Sequence, residues 1–229
     1  MIKGVAFDLE GTIINVEELH FEAFILTAAE FGLNLTFETL VKKIPYALGG
    51  GDKRISRGIA ELSGAPDSEI FTLKRRHYSR LLEELEKIEP RPGFIETFNQ
   101  IKSLGLNVAI GSLTAIEHAR ILLGRSEVGN LFPQENQIFE KDVKNLKPEK
   151  DVYCETARRM NIKPSEQLVF EDSATGLVAA RLAGSKTIAV PIYSFEENLI
   201  EIIKTGTKRI FFDWREMNVK TLIENLNKE

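Results

Sequence analysis

One cysteine in 229 residues leaves no internal disulfide to build. Cys154 falls inside a helical pattern, reads as a small core residue, and fits a reduced, cytoplasmic setting. No apolar run reaches the length of a membrane span. The N-terminus lacks a signal-peptide layout, because its first strand ends in acids where a cleavage site would lie. There is no repeat and no low-complexity segment. The formal net charge is only −4, so there is no electrostatic reason to expect a nucleic acid or an anionic membrane as partner. Protein partners are not indicated by any segment. The histidines and the single cysteine form no cluster, which leaves oxygen as the ligand atom for any metal.

What is present is an ordinary globular composition, 43% hydrophobic and 28% charged, sufficient for a full core in one domain or one domain plus an insertion. The chain is organised around its first twelve residues, MIKGVAFDLEGT. Ile2, Val5, Ala6 and Phe7 read as a buried strand, which belongs in a parallel sheet. The strand ends abruptly in Asp8, Glu10, Gly11 and Thr12. Acids at the C-terminal end of such a strand sit where open α/β sheets place their ligands. On these residues alone, an acidic turn and a catalytic site are both open readings.

The pattern changes after Ile14. From 16 to about 87 helical periods dominate, giving an insert of roughly 70 residues. Helices are expected over 17–31, stopped by Gly32, and over 37–44, stopped by Pro45. Asp52 is expected to cap a helix to Leu62. Asp67 is expected to cap a long helix to Leu85, with Leu73, His77, Leu81 and Leu85 four apart. Alternation resumes at Pro90: helix 94–103, strand 106–110, helix 116–123, a weak strand 136–139, and a helix opened by Lys147 and Pro148 that runs to about Met160. Strand 167–170, helix 174–183, strand 187–190, an edge strand at Ile210 and Phe211 and a closing helix 221–227 follow. This order implies α/β architecture: a doubly wound, Rossmann-like parallel sheet with helices on both faces.

Polar groups then fall at element ends: Asp8 and Glu10, Ser112 and Thr114, Lys147, and Glu171 and Asp172. If the strand ends are neighbours, these groups share one crevice. Several acids in one place repel unless a cation sits among them, and oxygen ligands suit Mg²⁺. A hydroxyl and a lysine beside the metal make a phosphate clamp, and an aspartate can attack phosphorus.

In this order, DLEGT, GSLT, KPEKDVY and FEDSATG resemble the haloacid dehalogenase superfamily of phosphatases and phosphomutases. The helical insert resembles that family's small cap, and ELHFEAF, with His20, is most similar to the beta-phosphoglucomutase-like branch. The resemblance runs to about Glu196. It implies a catalytic core of residues 1–15 and 89–229, an α-helical cap of residues 16–88, and a Mg²⁺-dependent phosphoric monoester hydrolase acting on a small phosphorylated metabolite. It assigns Asp8 as the nucleophile that becomes an aspartyl-phosphate. Glu10 becomes the general acid/base, its backbone carbonyl a metal ligand. Lys147 bridges nucleophile and phosphate. Asp172 is a metal ligand, and Glu171 a second ligand or an outer partner. Ser112 with its neighbour Leu113 forms the phosphate-binding turn, and Thr12 supports the nucleophile loop and is counted with the phosphate site. In the glycine-rich, basic run GGGDKRISR, Gly50 and Arg54 are candidate substrate contacts, with Lys53 and Arg57 as alternatives; a glycine turn and a solvated helix face is the other reading.

The chain departs from the family pattern at two places. Most members carry Asp where Glu10 stands, a side chain shorter by about 1.5 Å; enolase-phosphatases in the same superfamily also carry Glu. Leu113 replaces a polar residue that is common after the serine. A sugar phosphomutase, a phosphonate hydrolase with a Schiff-base lysine among Lys42, Lys43 and Lys53, and a non-catalytic phospholigand-binding protein are the alternatives. His20 is expected near the cap hinge. Lys74, Arg75 and Arg76 are expected on a solvated face, His77 and His118 at the surface or in packing, and Trp214 in core or edge packing.

Overall fold

The computed structural model describes residues 1–48 and 51–228. Five parallel strands among them form one sheet in the order β3-β2-β1-β4-β5. They are β1 (Gly4–Phe7), β2 (Asn107–Gly111), β3 (Gln137–Ile138), β4 (Gln167–Glu171) and β5 (Lys186–Ala189). β1 is central and buried throughout, as its unbroken apolar run requires. Its side chains alternate between two cores. Val5 and Phe7 face a large cluster with Phe94, Phe170, Trp214 and Leu222, whereas Ala6 faces a second with Ala109, Tyr153, Val169 and Ala180. Phe7 stacks on Phe170 at 5.4 Å and meets Phe94 edge-on at 5.5 Å.

The first core is covered by α5 (Phe94–Ser103) and α10 (Val219–Lys228), the second by α7 (Asp151–Arg159) and α8 (Ala174–Ala183). Among the described residues, four α-helices lie between β1 and α5: α1 (Glu17–Glu30), α2 (Phe37–Lys43), α3 (Asp52–Ser63) and α4 (Asp67–Glu84). They enclose an apolar cluster of their own, with Phe21, Phe24, Leu40, Ile55, Ile59 and Ile70. The two chain segments that join them to the sheet run side by side: the Arg91 N–H donates to the Ile13 carbonyl at 2.7 Å. The remaining helices are α6 (Ile116–Gly124), after β2, and α9 (Glu196–Lys204). No helix among the described residues is long and apolar enough to cross a membrane.

Several expectations are corrected. Gly51 and Pro66, not Asp52 and Asp67, occupy the N-cap positions; both aspartates lie inside their helices and neither caps with its side chain. The Asp52 carboxylate is instead drawn to Lys74 at 2.5 Å. Lys147 and Pro148 do not open a helix. They lie in a loop, joined by a cis peptide bond, and α7 begins at Asp151. Ile210 makes only an isolated bridge to Ala189 rather than an edge strand. Helix α9 has no counterpart in the expected elements. Cys154 is half-exposed on the flank of α7, whose buried face is Val152, Tyr153, Thr156 and Ala157.

Candidate active site

Strand register sets the site. Phe7 pairs with Ile110 on one side and Phe170 on the other, so the next residues, Asp8, Gly111 and Glu171, end level at one sheet edge. Around that edge lies a cavity of about 790 Å³, lined by Asp8, Glu10, Ser112, Leu113, Lys147 and Asp172, and from the helical side by Arg54, Arg75 and Tyr78. Gly50 lies outside the described residues.

Lys147 reaches from its loop to Asp8 Oδ1 at 2.6 Å and to Glu171 Oε1 at 2.5 Å. Asp8, Glu171 and Asp172 bring one carboxylate oxygen each within 4.8 Å of one another. One lysine does not balance three acids, two of them buried and Asp172 half-buried. Burial pushes Asp8 up to about 7; Lys147 opposes this, and Glu171 adds to it. Burial, with Glu171 and Asp8, drives Asp172 well above the carboxylate range. Burial alone would lower Lys147, but Asp8 and Glu171 outweigh it and hold the ammonium above the usual lysine value. The acids therefore lack positive charge, and their oxygen-only donor set fits a hard divalent cation.

Glu171 is the most heavily bonded of the three. Besides Lys147 it accepts from the Tyr153 hydroxyl at 2.7 Å and from Ser173 N and Oγ at 3.2 and 3.0 Å. Its carboxylate lies so close to α8 that a Cβ at Gly176 would overlap it. Asp172 crowds Gly11 in the same way. Gly11 also has φ +83°, so two independent constraints require glycine there. Thr12 does not face the cavity; it is fully buried and its hydroxyl donates to Asp172 Oδ1 at 3.1 Å. That bond ties it to a strand-end acid, Asp172, which itself lines the cavity. Ser112 does line the cavity, its hydroxyl 2.9 Å from that of Thr114.

The Glu10 side chain turns away from the three acids. Its carboxylate accepts from Thr114 at 2.7 Å and from the Tyr78 hydroxyl of α4, and lies 3.5 Å from His20 Nε2. Burial works to raise its pKa, but His20, Tyr78 and Thr114 win and hold it at about 2. Glu10 is thus an ionised group shared between the strand edge and the helices.

Behind Glu10 stands a network that the sequence reading missed. Lys74 is fully buried rather than solvated. Its ammonium lies 2.6 Å from His20 Nδ1 and 2.5 Å from Asp52, and 4.8 Å from the ring centres of Phe24 and Tyr78. The buried row of α4 is Ile70, Lys74, Tyr78 and Leu82, with Leu81 beside it, one residue away from the expected row of Leu73, His77, Leu81 and Leu85. The i, i+4 spacing of Lys74 and Tyr78 was the available signal. His118 lines the cavity and bonds Ser79 at 2.7 Å, while His77 pairs with Glu30 at 2.7 Å. Arg91 was also missed. Buried beside the nucleophile loop, it donates to the carbonyls of Gly11 at 2.7 Å, Pro191 at 3.2 Å and Phe212 at 3.0 Å, and to that of Val190. Trp214 is core, as expected, and its indole N–H reaches the Thr12 carbonyl at 3.2 Å.

Residues 2–184 match the family model of haloacid dehalogenase-like hydrolases. The chain belongs to that family. A phosphorylated carbohydrates phosphatase of Thermotoga maritima is 29% identical over 196 residues, covering 86% of this chain and 88% of that protein. Fructose-1-phosphate phosphatase YqaB of Escherichia coli is 29% identical over 191 residues, covering 82% and 95%. Among solved structures, CbbY from Rhodobacter sphaeroides in complex with xylulose-(1,5)bisphosphate superposes with a TM-score of 0.73 at 26% identity, covering 95% of this chain and 97% of that one. In this haloacid dehalogenase-like chain, α9 lies beyond the matched residues, yet its Glu201, Lys204 and Thr205 line the cavity.

Proposed function

We propose that this hydrolase is a Mg²⁺-dependent phosphatase of small phosphorylated sugars, working through an aspartyl-phosphate on Asp8 in the cytoplasm. The observation that carries the reading is the bonding of one buried lysine to both Asp8 and Glu171 beside Asp172, at the open end of the sheet. The names of the Thermotoga and Escherichia relatives support the substrate class, and the half-exposed single cysteine suits a reducing compartment.

Lys147 holds Asp8 Oδ1, which leaves Oδ2 to attack phosphorus. Glu10, ionised in the resting site, first takes up a proton from solvent; the P–O bond to the sugar then breaks, and that proton goes to the departing oxygen. Glu10, again ionised, then takes a proton from water; the water oxygen attacks phosphorus, and the acyl-phosphate bond breaks to release phosphate and free Asp8. Ser112 and Lys147 hold the phosphoryl oxygens. Asp8, Asp172 and the Glu10 carbonyl would hold Mg²⁺, which supplies charge neutralisation for the phosphoryl group. Residues 16–88 act as a cap, placing Tyr78, His20 and Arg54 over the leaving group; their separate apolar cluster and the paired connections at Ile13 and Arg91 support this.

Turnover of an aryl phosphate and of a panel of sugar phosphates tests the reading. Phosphate release is expected with Mg²⁺, to fall at least about 100-fold with a chelator, and to return when Mg²⁺ is restored. No metal-dependent release from any ester would sink it. Formation of glucose 6-phosphate from β-glucose 1-phosphate would make the enzyme a mutase instead.

Tyr78→Phe tests the acid/base role of Glu10. The variant removes a donor to ionised Glu10, so the Glu10 pKa rises. The limb of the pH–rate profile that Glu10 sets should move to higher pH and kcat fall about 10-fold, with KM nearly unchanged. An unshifted limb would count against Glu10.

A further inference from the structure

Seven acids line the cavity: Asp8, Glu10, Glu17, Asp52, Glu140, Asp172 and Glu201. Six are engaged. Asp8 is held by Lys147, Glu10 by Tyr78 and Thr114, Asp52 by Lys74, Glu140 by Arg75, Asp172 by Thr12, and Glu201 by Lys204. Glu17 is the exception: among the described residues its carboxylate has no hydrogen-bond or ion-pair partner. It is the first residue of α1 and also lines a side cavity of about 100 Å³ with His20 and Asp52. It lines the same cavity as Asp8, Lys147 and Asp172. A dipole role at the start of α1 does not explain this placement, because Glu18 occupies the same first turn from the solvent side.

A carboxylate only accepts hydrogen bonds. Glu10 and Asp52 repel it and a second anion alike, and the basic groups that attract it, His20 and Lys74, are already engaged with Glu10, Asp52 and each other. The group that complements it is a neutral hydroxyl donor. Of the other basic side chains on the wall, Lys53 lies 5.8 Å from the Phe71 ring and Arg54 4.3 Å from the Tyr46 ring. We propose that Glu17 is a specificity residue that accepts hydrogen bonds from hydroxyls of the leaving alcohol beside the phosphoester, and so selects phosphates of polyhydroxy compounds over simple alkyl phosphates. This rests on the phosphatase reading above.

The test compares glycerol 1-phosphate, n-propyl phosphate and an aryl phosphate as substrates for the wild type, Glu17→Ala and Glu17→Gln. The wild type should favour glycerol 1-phosphate over n-propyl phosphate in kcat/KM by at least about 10-fold. Glu17→Ala should lower kcat/KM for glycerol 1-phosphate by about 10- to 100-fold, mainly through KM, and leave the other two substrates within about 3-fold. Glu17→Gln, which keeps an acceptor oxygen and the shape, should fall between. Equal losses on all three substrates would make Glu17 a structural residue and overturn the proposal. So would wild-type turnover of the aryl phosphate with no preference for glycerol 1-phosphate, while leaving the phosphatase reading intact. Failure of the wild type on all three would overturn both.

Discussion

Asp8→Asn is expected to abolish phosphate release, by on the order of 10⁵-fold, while leaving the protein folded and no less stable. The amide keeps the shape of the carboxylate but cannot attack phosphorus. Lys147 loses one partner and keeps the other, Glu171, at 2.5 Å. The stability side follows from the charge balance. Asp8 has a folded pKa of about 7 against an ordinary 3.8, because burial and Glu171 outweigh Lys147. A raised acid binds its proton more tightly in the folded state than in the unfolded one. Its contribution therefore grows unfavourable as pH rises from about 4 to about 7 and stays so above. Asparagine removes that contribution. Without divalent cation, at pH 8, the variant should melt at the same temperature as the wild type or higher, and the difference should shrink toward pH 4. Thermal melts at the two pH values, beside an assay of phosphate release, check both halves. Residual turnover above about 1% of wild type would remove Asp8 from the nucleophile's place, and a large drop in melting temperature would contradict the charge balance.

The strand ends were legible because they depend on local pattern. An apolar run that stops at Asp8, a second that stops at Ser112 and a third that stops at Glu171 name the sheet edge without knowledge of strand order. The helical insert was equally plain, since its periods change character at Val16. What was missed depends on partners distant in the chain. Asp52 and Asp67 look like caps by position, yet Asp52 is claimed by Lys74, 22 residues on. Lys74 reads as solvated because it opens the basic run Lys74, Arg75, Arg76, and its contact with His20 and Asp52 explains why a lysine is buried. Arg91 follows a proline and resembles a turn residue; its acceptors are carbonyls from 80 to 121 residues away. Helix α9 was missed although it carries end signals, Glu196 and Glu197 in its first turn, Lys204 in its last and Gly206 just beyond, and it lines the outer wall of the cavity.

Lys147→Met should have the opposite effect on stability from Asp8→Asn, although both remove activity. The methionine nearly matches the lysine stem in volume and takes away the ammonium alone. Asp8 and Glu171 then lose a bond of 2.6 Å and one of 2.5 Å, and both remain buried with Asp172 at close range. Removing one partner of a buried pair leaves charge without compensation and costs about 3–5 kcal/mol. For a chain of this size that lowers the melting temperature by roughly 6–20 °C. The loss should be greatest near pH 8, where the acids must ionise, and smaller near pH 5, where Asp8 takes up a proton. A divalent cation should restore part of it by supplying positive charge to the same oxygens. Activity should fall by about 10³-fold or more even with saturating cation, because added cation would neutralise the acids but not replace the hydrogen bond that Lys147 donates to the phosphoryl oxygen. Equal melting temperatures for Lys147→Met and wild type at pH 8 without cation would contradict this account. Two ends of one salt bridge, each lethal to catalysis and opposite in sign for stability, would show that the acids here are gathered for a cation and a phosphate rather than for the fold.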